Sequence, residues 1–206
     1  MKQTSNEYEN IYWPLNKLIL GMDEAGRGPI CGPLVVCGVV LPINYENEMI
    51  YDSKALSEKK REMLFDIIKN DAISYQIEII DEETIDSLNI YQAVKKYMEK
   101  IASEIECDIV LTDAMKLNSE CIPIIKGDQK SINIAAASIL AKVTRDRIMY
   151  EYDKLYPQYG FKNHKGYPTK RHVEAVKEFG ILDFYRKTYN PIKKMLAEDR
   201  NLKLPL

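Results

Sequence analysis

Between Lys17 and Leu41 two short apolar runs, Leu18 to Leu20 and Leu34 to Leu41, enclose two adjacent carboxylates, Asp23 and Glu24, and a glycine-rich turn. Burying even one unpaired carboxylate is costly, so two in a row between buried strands demand a cation or a rim facing solvent. In Gly26-Arg27-Gly28-Pro29 the glycines let the chain turn tightly and let a ligand approach the amides, while Arg27 supplies a fixed fork suited to phosphate. Carboxylates for metal and amides for phosphate therefore sit side by side. The flanking runs, 17–22 and 34–41, are expected as the first two strands of a sheet.

The same pattern returns later. Ile109-Val110-Leu111-Thr112 is a short apolar run ending on Asp113, and in open sheets of strand-helix-strand units ligands gather at the carboxyl ends of strands. Two such strands would deliver Asp23 and Asp113 together. Between them, Ser57 is a good N-cap for a helix over about 58–69, and Ile73, Tyr75, Ile77 and Ile79 alternate with polar residues as in a half-buried strand. Apolar residues from Ile90 to Ile105 fall at helical spacing, predicting one amphipathic helix over about 81–105. Another short strand, 123–126, precedes Gly127-Asp128. The helix expected over 132–156 is nearly apolar all round from Ile134 to Ala141, so the body of the protein buries it; Ser138, Lys142 and Asp146 share one broad face. Alone, Asp146 is better explained by an ordinary helix ion pair with Lys142 or Arg147. Thr169 caps a last helix over 170–179, which Gly180 ends.

Three segments follow: a polar leader, 1–16, packed at most through its aromatics; a sheet-and-helix core, 17–156; and a basic helical segment, 157–206. No apolar run approaches the ~20 residues that cross a bilayer, and the N-terminus lacks the basic and apolar regions of a signal peptide. No membrane partner and a cytoplasmic location are the expectations. Four cysteines without C-x-x-C spacing and only two histidines, His164 and His172, make a zinc site a poor reading. The net charge of -2 hides an asymmetry: from Lys142 onward there are 15 basic against 8 acidic residues, and before it 14 against 23. An acidic body with a basic final third suits a protein that gathers metal with one part and grips phosphates with the other.

Asp23, Glu24, Asp113 and Asp146 make an all-oxygen constellation that suits Mg²⁺ or Mn²⁺. Two such ions hydrolyse a phosphodiester by activating the attacking water and stabilising the departing oxygen, so no nucleophilic side chain is required.

The wording of the motifs goes further. Asp23-Glu24-Ala25-Gly26-Arg27-Gly28-Pro29 with Gly32-Pro33 resembles the signature of ribonuclease HII, the type 2 ribonuclease H. The resemblance continues through D-S-K-A-L-S at 52–57, Asp113, G-D-Q-K-S at 127–131, A-A-A-S-I-L-A-K-V-T-R-D at 135–146, Y-G-F at 159–161 and K-G-Y-P-T-K-R-H at 165–172, covering about 17–190 in order. It implies an α/β fold of the ribonuclease H type, a mixed sheet flanked by helices, with a helical C-terminal extension that helps hold a duplex. It implies two divalent ions, Mg²⁺ or Mn²⁺, on Asp23, Glu24, Asp113 and Asp146. The implied substrates are RNA-DNA hybrids and duplex DNA containing ribonucleotides, cut 5′ to the ribonucleotide to leave a 3′-hydroxyl and a 5′-phosphate. By similarity, the Gly26-Arg27-Gly28 backbone reads the ribose 2′-hydroxyl and Tyr167 packs against the next sugar, a deoxyribose. Lys54, Ser131, Ser138 and Lys142 are similar to phosphate contacts, which position a duplex without reading its sequence. His172 is as well explained by packing and stays outside the set. The run R-K-T-Y-N-P at 186–191 departs from the usual pattern, with Tyr189 where phenylalanine is common. A monomer is expected, and sixteen leader residues are too few for the N-terminal domain that the related type 3 enzymes carry.

Two rivals share features with this reading. A junction resolvase or transposase-like nuclease has the acid cluster without the 2′-hydroxyl reader, and a non-catalytic nucleic-acid module has carboxylates that only hold a structural cation.

Overall fold

The computed structural model describes residues 4–202. Helix α1 (Glu9–Tyr12) and a 3-10 turn at Trp13–Leu15 precede strand β1 (Ile19–Ala25), and β2 (Leu34–Val40) returns antiparallel beside it. Helix α2 (Glu58–Asp71), whose Lys60 N–H is accepted by the Ser57 hydroxyl, leads to β3 (Ser74–Ile80), antiparallel to β2. Then come α3 (Glu82–Leu88) and α4 (Ile90–Glu104). The single helix expected over 81–105 is thus two, because Asn89 takes φ 65° and caps the second through the Gln92 N–H. Strand β4 (Ile109–Asp113) runs parallel to β1, and β5 (Ile122–Ile124) parallel to β4. Helices α5 (Ile132–Leu155), α6 (Phe161–His164), α7 (Lys170–Phe179) and α8 (Ile192–Leu202) complete the chain. The mixed five-stranded sheet has the order β3-β2-β1-β4-β5.

Period-two burial divides the sheet between two cores. Val35, Cys37 and Val39 pack with α2 and α5, while Leu34, Val36 and Val40 pack with α3 and α4. Strand β1 alternates likewise, Ile19 on the α5 side and Leu20 and Met22 on the other. On the α5 side Gly21 lets the helix close in, since a Cβ there would lie 2.3 Å from the backbone at Asn133. A third core, containing Ile30, Cys31, Tyr159, Phe161, Tyr185 and Ile192, wraps the C-terminal segment around the β1–β2 loop and α5. No helix among the described residues is long and apolar enough to cross a membrane.

Two expectations change. Strand β1 continues through Asp23 and Glu24 rather than stopping at Met22, so the acids are part of the ladder. The leader docks through a charge as well as Trp13: Glu9 is fully buried, and its Oε1 accepts from Ser131 Oγ at 2.6 Å, Asn133 Nδ2 at 2.9 Å and the Asn133 N–H at 3.3 Å. A carboxylate there compensates the positive end of the α5 dipole.

Candidate active site

Strands β1 and β4 are parallel with Met22 opposite Thr112, so the next residue of each, Asp23 and Asp113, emerges at the same end of the sheet. Asp23 is only 6% exposed. Its Oδ1 accepts the Glu24 N–H at 2.7 Å. Burial lifts the proton affinity of Asp23 well above the usual carboxylate range, and the charges of Glu24 and Asp113 push the same way. Glu24 is also raised, first by burial; Arg27, whose Nη1 lies 3.2 Å from Oε1, opposes the shift and Asp113 adds to it. Glu24 Oε2 is buried with no hydrogen-bond partner. Asp113 Oδ1 accepts the Gly127 N–H at 2.9 Å.

Asp146 and Asp128 stand in different surroundings. Asp146 is held in an ion pair: Lys142 Nζ is 2.6 Å from Oδ1 and Arg61 Nη2 is 3.9 Å from Oδ2. Arg61 also donates to the carbonyls of Ser53 and Leu56 at 3.0 and 2.5 Å. Asp128, in the 3-10 turn after β5, is almost buried, and its pKa is raised to about 6 by burial, then by the charges of Asp52 and Asp113. The signal was present as a third short strand followed by an acid. Among the described residues no three acids, histidines or cysteines close tightly enough to form a finished metal cage. Asp23, Glu24 and Asp128 form instead a patch around Asp113 in which burial, with the charge of Asp113 added, holds protons on all three, an electrostatic state that a cation relieves.

A cleft of about 260 Å³ opens beside this patch, lined by Asp23, Glu24, Gly26, Arg27, Gly28, Ser53, Lys54, Ser138, Lys142, Arg145 and Tyr167. Every expected substrate contact except Ser131 lines it. Ser131 is buried, donating to Glu9 and accepting the Ile134 N–H at 3.3 Å as the cap of α5, so it has no face for a phosphate. Ser138 shares a 2.9 Å hydrogen bond with Ser53, which ties the 53–57 turn to α5. Lys142 reaches the cleft while bonded to Asp146.

Two loops face each other across one side of the cleft. The half-exposed Tyr167 ring lies against Gly28, where an added Cβ would stand 3.1 Å from Cε1. The Ile30 N–H donates to Gly166 O at 2.9 Å. Arg186 is fully buried and donates to Gly32 O at 2.8 Å and Arg27 O at 3.2 Å; the Tyr189 hydroxyl also donates to Arg27 O, at 3.1 Å, a bond that phenylalanine could not make. Behind Tyr167, His172 and His164 stack with ring centroids 4.0 Å apart. His172 Nδ1 donates to Tyr167 O at 2.8 Å and Nε2 accepts the Tyr185 hydroxyl at 2.7 Å, while His164 Nδ1 accepts the Gly166 N–H at 3.2 Å. Packing is one of the readings open to His172 from sequence; its partners make it the buried support of the Tyr167 backbone.

Comparison with known proteins agrees with the geometry. The family model described as Ribonuclease HII matches residues 20–191. A protein named Ribonuclease HII from Francisella tularensis subsp. mediasiatica (strain FSC147) is 51% identical over 188 residues, covering 88% of this chain and 100% of the relative. Another of that name, from Ruminiclostridium cellulolyticum, is 52% identical over 176 residues, covering 83% of this chain and 69% of the relative. The crystal structure of the ribonuclease H2 from Pyrococcus horikoshii OT3 superposes with a TM-score of 0.73 at 27% identity, over 91% of this chain and 100% of that one.

Proposed function

The chain belongs to the ribonuclease HII family, and on that premise we propose that it cuts the phosphodiester 5′ to a ribonucleotide embedded in duplex DNA, and the RNA strand of RNA-DNA hybrids, leaving a 3′-hydroxyl and a 5′-phosphate. Ribonuclease H activity belongs to the family; the point of cleavage and its use to start ribonucleotide removal from DNA are our reading. One observation carries it: β1 runs from the acid patch straight into Gly26-Arg27-Gly28, and Tyr167 closes on Gly28 from the other side, so the hydrolytic and sugar-reading groups share one cleft.

The donor chemistry fits divalent cations. All the donors are oxygens, Glu24 Oε2 is buried without a partner, and neighbouring like charges raise Asp23. Asp23, Glu24 and Asp113 would hold two ions, Mg²⁺ or Mn²⁺, with Asp128 rather than the ion-paired Asp146 as fourth ligand. Bound there, the ions supply an activated water and charge stabilisation for the departing oxygen.

The chain's own groups do the positioning. Lys54, Lys142 and the Ser138 hydroxyl line the cleft where backbone phosphates would run, and contacts of this kind set register without reading sequence. The Gly26–Gly28 main chain can bond a 2′-hydroxyl, the group that separates ribose from deoxyribose, because glycine lets the sugar come close. Tyr167 offers a flat apolar face to a neighbouring sugar that lacks the hydroxyl. The protein acts on nucleic acid as a monomer in the cytoplasm in this reading.

The test is cleavage mapping on a duplex with one ribonucleotide beside an all-DNA duplex of the same sequence, with each metal. Cutting only the first, immediately 5′ to the ribonucleotide, is expected. Equal cutting of both would replace the assignment with a resolvase-like nuclease.

A further inference from the structure

The Gly26–Pro33 loop and the Lys165–Tyr167 loop lie far apart in sequence, and one side chain bonds to both. Arg145 is 2% exposed. Its Nε donates to Pro33 O at 2.9 Å and Nη2 to Cys31 O at 3.1 Å, on the first loop, while Nη1 donates to Lys165 O at 2.9 Å, on the second. No carboxylate among the described residues pairs with it. A guanidinium withdrawn from water and offered only neutral carbonyls is an expensive way to stabilise a fold. Burial and the charge of Arg186 lower its pKa to about 10, which leaves it charged at neutral pH. What this group supplies is a planar fork with fixed angles between its donors.

The glycine motif is cut to admit that fork. A Cβ on Gly26 would lie 2.3 Å from Arg145 Nε and 2.6 Å from its Cδ. Arg145 also lines the cleft, and each of its three side-chain nitrogens donates to a loop carbonyl. The next residue, Asp146, joins Lys142 and Arg61 instead, so neighbouring residues of α5 serve different loops.

Resting on the proposed ribonucleotide reading, we propose that Arg145 is a positioning residue that sets the spacing between the Gly26–Gly28 main chain and the Tyr167 ring, and so sets the preference for a ribose followed by a deoxyribose. A lysine would keep the charge but has one nitrogen to span three carbonyls.

The experiment compares wild type, R145K, Y167A and the double variant on a duplex with one ribonucleotide and on an all-RNA strand paired with DNA. For R145K we expect kcat on the single-ribonucleotide duplex to fall about tenfold or more, with KM changed less than about threefold. The ratio of rates on the two substrates falls by the same factor, and binding to an all-DNA duplex is unchanged. Adding Y167A to R145K costs little more, because residues that act as a unit are not additive. Equal losses on both substrates, or effects that multiply, would overturn the proposal and leave Arg145 a structural residue. G166A gives a second route where R145K does not fold: its methyl would lie 2.7 Å from Cys31 O, opening the same seam with Arg145 intact. An unchanged substrate ratio in folded G166A also overturns the proposal. Failure of the ribonucleotide reading itself is seen earlier, as a wild type that cuts the all-DNA duplex equally well.

Discussion

Lys142 and Asp146 are bonded to each other at 2.6 Å, one turn apart on α5, and Arg61 stands 3.9 Å from the second oxygen of the same carboxylate. Two cations already answer that charge, whereas Asp128 faces the like charges of Asp52 and Asp113. Asp128→Asn should therefore lower cleavage by at least about 100-fold with no fall in Tm. Asp146→Asn should leave the rate within about tenfold but reduce stability by about 1–3 kcal/mol, because it strands two partly buried cations. Single-turnover cleavage of a one-ribonucleotide duplex beside thermal melts separates them. The reverse ranking would return Asp146 to the ligand set.

Cation binding should be visible without any cleavage. Asp23 and Glu24 are both pushed up by the charge of Asp113, so a divalent ion that relieves the repulsion favours the folded state. At 100 times its Kd a ligand adds about 2.7 kcal/mol, enough to move Tm by several degrees. Asp113→Asn keeps an acceptor for the Gly127 N–H while removing the charge. It should raise Tm in chelator and lose most of the rise on adding Mg²⁺ or Mn²⁺. A metal-induced rise as large as that of wild type would show that Asp113 is not a ligand.

Much of this was legible in the sequence because it depends on local pattern. Apolar runs ending on acids gave Asp23 and Asp113 a common sheet end, and the parallel β1–β4 pairing delivers them there. Caps at Ser57 and Thr169 read correctly because a capping side chain bonds within its own turn. What escaped detection lies in contacts between segments far apart in the chain. The short strand before Asp128 is a local signal, but that Asp146 is bonded to Lys142 and Arg61 while Asp128 faces Asp52 and Asp113 depends on segments far apart in the chain. Ser131 has a phosphate binder's chemistry, and only the leader folding back to place Glu9 on it removes it from the site. Arg145 and Arg186 are charged residues that pattern assigns to a surface, yet both are buried against loop carbonyls.

The leader's contribution follows from the bonds of Glu9. One buried oxygen accepts from Ser131 Oγ, Asn133 Nδ2 and the Asn133 N–H, at the positive end of α5. Asn133 Oδ1 in turn accepts the Leu41 N–H at 2.8 Å, so the cluster joins leader, α5 and the end of β2. Glu9→Gln should cost about 1.5–3 kcal/mol, the range for hydrogen bonds to a charged group, and lower Tm accordingly. Because Glu9 does not line the cleft, KM for the one-ribonucleotide duplex should stay within about twofold below the melting transition. An unchanged Tm would mean that the leader does not hold α5.

The support beneath Tyr167 should fail in acid. Burial lowers the pKa of His172 to about 4, and its neighbours require the neutral ring: Nδ1 donates to Tyr167 O while Nε2 accepts from Tyr185. The unfolded chain takes up this proton near the ordinary histidine pKa of about 6.5. Between these values the unfolded state binds more protons, so stability is complete above pH ~6.5 and is lost as pH falls toward ~4, by about 3 kcal/mol in all. His164, stacked on it and also lowered by burial, acts in the same direction. His172→Asn retains a donor for Tyr167 O and removes the titration. It should melt below wild type at pH 7.5, with a gap that narrows steadily toward pH 4.5. A gap independent of pH would mean that His172 accepts the proton in place, and with it a rearranged bond to Tyr185.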